Sequence, residues 1–176
     1  MDTLPLEIGP VLDFPESSME AKILRDYWIA LVSREVSLLG RKDVLSGKGK
    51  FGIFGDGKEI AQTALSHYIM PGDFRSGYYR DQTIMFALGI CSIAEFFGQM
   101  YSDSLHDPFS GGRQMNNHFA SPFIHADGTW TAHRDRFNVV SDVSAVAGQV
   151  GRALGLAQAS TIYKSNPDLK DTVFSN

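Results

Sequence analysis

The stretch Val139-Val140-Ser141-Asp142-Val143-Ser144-Ala145-Val146-Ala147-Gly148-Gln149-Val150-Gly151 decides how this chain is read. Phe137 to Val143 reads as a short strand. Ser144 stands where an N-cap belongs, and the helix it opens is expected to run to about Lys164. Along that helix Ala147, Gly151, Gly155 and Ala159 recur every four residues and share one face, with Gly148 beside it. Two interior glycines cost about 2 kcal/mol relative to alanine. The face is therefore expected to pack closely on another backbone or another chain, while the first turn could lie against a flat cofactor. Downstream, Asp171-Thr172-Val173-Phe174 looks like the beginning of a further strand.

Upstream, periodicity vanishes from Asp103 to Arg136. Gly111-Gly112, Asn116-Asn117, Asp127-Gly128 and two prolines mark loops there. An irregular stretch of this length is usually functional. Before it, Ser92 and Glu95 form a capping box that opens a helix to about Tyr101. Asp81 reads as the N-cap of another helix, ending near Gly89. Phe74 to Tyr79 is extended. Asp56 with Glu59 opens a helix to about Ile69, stopped by Pro71. Residues 41–57 form a glycine-rich loop. The first helix opens at Ser17, with Glu20 reaching back, and closes at Gly40 as a left-handed cap. Leu24, Trp28, Leu31, Glu35 and Leu38 share one of its faces, widened by Tyr27 and Val32, so this helix reads as amphipathic. Residues 1–16 hold three prolines and form an extended lead-in to the domain at 17–176.

A chain of 176 residues, 43% hydrophobic and 20% charged, has the makeup of one globular domain. It can bury roughly 70% of its unfolded surface. Disordered, collagen-like and disulfide-stapled classes are excluded. The single cysteine, Cys91, follows an apolar run and is expected to be a buried thiol. A net charge of −4 gives no general attraction to nucleic acid. No apolar run approaches the length of a membrane span, and the N-terminus lacks the basic and apolar regions of a secretory signal. A cytoplasmic location is the default expectation.

Several short motifs have competing readings. Gly47-Lys48-Gly49-Lys50-Phe51-Gly52 matches the dinucleotide fingerprint, but a helix precedes it where a strand is needed. Gly52 to Lys58 fits seven positions of a phosphate loop. Glu59 then takes the place of the magnesium-binding hydroxyl. The plainer reading is a loop of tight turns with Phe51 and Phe54 tucked inward. The five histidines lack a metal-ligand spacing, and no metal site is expected among them. His118 is either an exposed loop imidazole or a donor or acid near a substrate. Arg80, after Tyr79, is either a surface salt-bridge partner or a fork for phosphate oxygens, helped by amides of the following helix.

Taken in order, Gly57-Lys58-Glu59, Tyr79-Arg80-Asp81, Gly111-Gly112-Arg113-Gln114-Met115 with His118, and Ser144-Ala145-Val146-Ala147-Gly148-Gln149 form a specific set. Over about residues 20–165 the chain resembles the alpha-type half of the thiamine-diphosphate-dependent decarboxylating component of the 2-oxo acid dehydrogenase complexes. The Gly-Arg-Gln-Met run looks most like the branched-chain enzymes, with the pyruvate and acetoin enzymes close relatives. The resemblance implies an α/β fold class: the N-terminal, mostly helical part of a thiamine-diphosphate-binding fold, ending before most of its parallel sheet. It implies that Tyr79 and Arg80 hold the cofactor diphosphate, that Ser144 and Val146 meet the aminopyrimidine through their backbone, and that His118 is the loop histidine beside the active site. Gln149 matches the glutamine opening the family's small-residue helix. Two positions depart from the pattern: Gly151 replaces a usual proline, and Asn116-Asn117 replaces a proline-containing pair.

The implied activity is oxidative decarboxylation of a 2-oxo acid, with the acyl group passed to lipoyl-lysine. The implied cofactors are thiamine diphosphate and Mg2+. The magnesium motif, Gly-Asp-Gly with an asparagine some thirty residues later, is expected after the next strand, beyond Asn176. The implied partners are the beta-type half, fused or separate, and the lipoyl domain of the acyltransferase component. A homo-oligomer is expected, with neither nucleic acid nor membrane as partner. As an N-terminal piece of a longer enzyme, residues 1–176 alone are expected to be inactive. Two other readings compete: a non-catalytic assembly domain that kept the fold, and a phosphate-loop nucleotide binder.

Overall fold

In a computed structural model, residues 18–168 are described. Their elements run α1 (Met19–Leu45), α2 (Glu59–Ser66), β1 (Phe74–Ser76), α3 (Gln82–Ala87), α4 (Ile93–Met100), β2 (Asn138–Val140) and α5 (Gly148–Ser165). The strands pair in parallel, Phe74 opposite Asn138, Arg75 opposite Val139 and Ser76 opposite Val140. Helices with a small parallel sheet agree with the α/β class in its coarse sense. The lead-in at 1–16, Ser17 and the strand expected at Asp171 lie outside the described residues. None of the described helices is long and apolar enough to cross a membrane.

The chain divides into two units. Unit 1 takes the residues up to His67 and Arg80–Asn117; unit 2 takes Tyr68–Tyr79 and the residues from His118 onward.

Unit 1 holds α1 to α4. Ser18, not Ser17, caps α1: its hydroxyl accepts the Ala21 amide at 3.0 Å. The helix does not stop at Gly40 but runs on to Leu45; Gly40 faces inward and leaves room for the Phe54 ring. The left-handed residue that follows the helix is Gly47, at φ 80°. The expected apolar stripe is not the buried one. Leu24, Trp28, Leu31 and Leu38 are 39–47% exposed, whereas Ala21, Ala30, Ser33, Val36, Ser37, Gly40 and Asp43 are buried. Small side chains let neighbouring elements come close, and polar ones are carried inside by hydrogen bonds. Ser33 Oγ bonds Thr83 Oγ1 at 2.7 Å, and Gln82 Nε2 donates to the Ser33 carbonyl and Ser37 Oγ at 3.0 Å each.

The start of α2 also differs from expectation. Lys58 occupies the cap without a side-chain bond, and Asp56 pairs with Arg41 at 2.6 Å instead. Glu59 is buried, held by Arg34 through two bonds of 2.8 and 3.1 Å and by the Gly57 amide. Of the two loop phenylalanines, Phe54 turns in beside Phe96 but Phe51 is half exposed. Asp81 does cap α3 by position, without a side-chain bond. The Ser92–Glu95 capping box at α4 forms as expected, with both reciprocal bonds present. Cys91 is buried, and burial pushes its thiol pKa well up.

Unit 2 holds β1, β2 and α5. The long helix begins at Gly148, four residues after the expected cap. Ala147 takes the cap position in left-handed backbone, φ 63°, which costs a residue with a Cβ about 1–2 kcal/mol. Ser144 does not cap. Among the described residues of this chain nothing packs on the small-residue face: a Cβ at Gly151 or Gly155 meets nothing within 4 Å, and no residue of α5 is buried.

Candidate functional site

Three of the five residues singled out by sequence meet in unit 2. Tyr79 follows β1, His118 opens the return of the chain into this unit, and Ser144 lies between β2 and α5. His118 Nε2 is 2.6 Å from Ser144 Oγ. The Tyr79 and His118 rings are parallel within 8°, their centroids 6.5 Å apart. Tyr78 lies over Tyr79 at 3.9 Å between centroids, and the two hydroxyls are hydrogen-bonded. His118 is 5% exposed, so the exposed-imidazole reading is set aside. Ser144, by contrast, is exposed. A buried imidazole thus presents one nitrogen to an accessible hydroxyl. That arrangement can hold a proton at a fixed place and share it with a bound polar atom.

The helix start beside this cluster carries two further features. The Gln149 carbonyl accepts the Ser76 hydroxyl at 3.0 Å, which ties the first turn of α5 to β1. The Gln149 side-chain oxygen is buried without a hydrogen-bond partner among the described residues. Buried acceptors rarely go unsatisfied, so such an atom invites an outside donor. Val146, the fourth candidate, is 76% exposed.

Arg80 belongs to unit 1. Its carbonyl accepts Gln62 Nε2 at 2.8 Å, and Gly55 is a glycine because a Cβ there would run into that carbonyl. Its backbone is therefore fixed. The α3 helix that follows it has six residues, Gln82–Ala87.

The loop ahead of His118 is anchored. The side-chain Nδ2 groups of Asn116 and Asn117 both donate to the Ile53 carbonyl, at 2.6 and 2.7 Å, and Asn116 Oδ1 accepts the Ile53 backbone amide. Asn117 is left-handed at φ 64° and fully buried, conditions under which asparagine is preferred to most residues. Asp107 ties the preceding turn, accepting the Phe109 and Gly112 amides at 2.9 Å. Sequence reasoning missed Arg75 and Asp142, which form a buried pair in unit 2. Charged residues in and near a short strand carry no signal that they are inside.

Among the described residues no group of three or more His, Cys, Asp or Glu could hold a metal ion. A Gly-Asp-Gly run does occur at Gly55-Asp56-Gly57, but its carboxylate is engaged by Arg41, and Asn116 is the first asparagine in the chain. The glycine-rich loop follows helix α1 rather than a strand. The scan against protein-family models finds no match to this chain.

Proposed function

We propose that this chain carries the N-terminal part of the alpha-type half of a thiamine-diphosphate-dependent 2-oxo acid dehydrogenase decarboxylating component, of branched-chain or pyruvate type. The observation that supports the reading is the meeting of Tyr79, His118 and Ser144. They were singled out by motif order alone, lie far apart in sequence, and stand together in unit 2. The orphaned Gln149 oxygen fits the same reading, since it awaits a donor at the helix start.

In this proposal Arg80 supplies positive charge to the diphosphate and Tyr79 a hydroxyl. Ser144 and Val146 meet the aminopyrimidine through their backbone, and His118 holds or releases a proton at Nε2 beside the substrate. Thiamine diphosphate, when bound, supplies the carbon chemistry of decarboxylation; protein groups orient and polarise. Magnesium is usually held by one or two carboxylates together with substrate phosphates, and in this proposal its protein ligands lie outside the described residues. The ligands, the beta-type half and the lipoyl partner belong to the proposal as parts outside this chain.

The test is calorimetric titration with magnesium and thiamine diphosphate, of the 176-residue chain and of the enzyme completed by the rest of its alpha-type half and its beta-type half, together with a 2-oxo acid decarboxylation assay. The chain alone should neither bind tightly nor turn over. Two contacts and a few backbone donors do not offset the several kcal/mol of freedom lost on binding. In the complete enzyme Arg80→Ala should weaken binding about tenfold to a hundredfold, the worth of one charge-assisted contact. Tyr79→Phe should do less. Equal affinity in Arg80→Ala and wild type would sink the assignment.

A further inference from the structure

One buried ion pair touches the backbone beside Tyr79 and His118 and stands two residues from Ser144 in the chain. Arg75 Nη1 is 3.2 Å from Asp142 Oδ2, with side chains 8% and 0% exposed. Arg75 Nη2 donates to the Tyr78 carbonyl at 3.3 Å, and Tyr79 comes next. Asp142 Oδ2 accepts the Phe119 amide at 3.1 Å, and His118 comes just before. Asp142 itself stands two residues before Ser144. A buried pair of this kind is a poor source of stability, because desolvation takes back most of the attraction. What it supplies is direction: a guanidinium fork and a carboxylate fix several groups at once. Gly77 adds an independent sign. Its φ is not left-handed, so its backbone does not call for glycine. A Cβ there would instead fall inside the Arg75 guanidinium, which folds back over it.

We infer that Arg75 and Asp142 are positioning residues that set the Tyr79–His118–Ser144 geometry, with Gly77 as the gap that admits the guanidinium. The relevance to cofactor rests on the proposed function; the geometry does not. The first readout is therefore the imidazole nitrogen resonances of His118, by NMR on the 176-residue chain without cofactor. Ser144→Ala records the Nε2 shift that accompanies loss of the His118–Ser144 bond. Two variants then disrupt the pair, the first of them without leaving one buried charge alone. The double variant Arg75→Met/Asp142→Leu replaces it by apolar volume. Gly77→Ala expels the guanidinium by contact. Both should keep their secondary structure and move Nε2 most of the way to its Ser144→Ala position. A wild-type Nε2 shift in either folded variant would overturn the inference. Unfolding of both would overturn it too, by making the pair a stability element. The second readout is thiamine diphosphate with magnesium, titrated into the complete enzyme, where both variants should bind more weakly. If wild type itself does not bind, the proposed function fails while the NMR result stands.

Discussion

Tyr101 shows what a single hydroxyl can tie to pH. It donates to Asp43, near the end of α1, and this bond, with burial and the carboxylate's charge, pushes its pKa from the usual 10 up to about 12. A raised folded value means that the folded chain keeps a proton which the unfolded chain releases. The contribution is thus whole below pH 10 and lost as pH rises through about 12. Denaturant midpoints measured between these values should fall in wild type and fall less in Tyr101→Phe; parallel curves would refute the linkage. At this scale the sequence was most legible where chemistry depends on residue type and neighbours. Cys91 followed an apolar run and is buried. Tyr79, His118 and Ser144, singled out in the sequence, meet in unit 2. Arg75 and Asp142 were illegible, because nothing local separates a buried charge from a solvated one.

Among the elements, α4 was legible because its capping box is local: two side chains answer two amides within four residues. The faces of α1 and the start of α5 were not. The apolar periodicity of α1 is real, but within this chain the side packed inward is the small and polar one. The left-handed turn at Ala147 depends on what surrounds it. Two glycine substitutions turn this contrast into a measurement. Gly40→Ala places a methyl within the Phe54 ring, and overpacking of that kind costs about 1–3 kcal/mol. Gly155→Ala meets nothing, and alanine's better helix propensity should raise stability by up to about 1 kcal/mol. Opposite shifts in the unfolding midpoint are expected. A loss for Gly155→Ala in the isolated chain would restore the close packing that the small-residue face suggested.

For the molecule, the exposed apolar surface is the main liability. Leu24, Trp28, Leu31 and Leu38 on α1, and Val150 and Leu154 on α5, stand in solvent. Contiguous apolar patches on soluble chains mark interaction sites or drive association. Sedimentation velocity should therefore show concentration-dependent association of the 176-residue chain. Replacing Leu24, Trp28 and Leu31 by polar residues should reduce it; a concentration-independent monomer would contradict this. The division into two units escaped sequence reading for a topological reason. Turn signals and periodicity report only on neighbours, whereas each unit is assembled from separate stretches of chain.

That interleaving sets a timetable for folding. Unit 2 is interrupted by Arg80–Asn117, so its first closure joins residues as far apart as Arg75 and Asp142, separated by 67 positions. The nearest comparable tie in unit 1, Asn117 to Ile53, spans 64. Loop-closure entropy rises only slowly with length, so this difference alone decides little. The interruption matters more: once Arg80–Asn117 is folded, far fewer free links remain to be closed. Helical unit 1 should thus form first and shorten the loop that strand pairing has to close. The chain carries its own reporters, for Trp28 lies in unit 1 and Trp130 in unit 2, and there are no other tryptophans. In stopped-flow refolding, the fluorescence of Trp130→Phe, which leaves Trp28, should settle before that of Trp28→Phe. The reverse order would mean that the parallel strands recruit the helices.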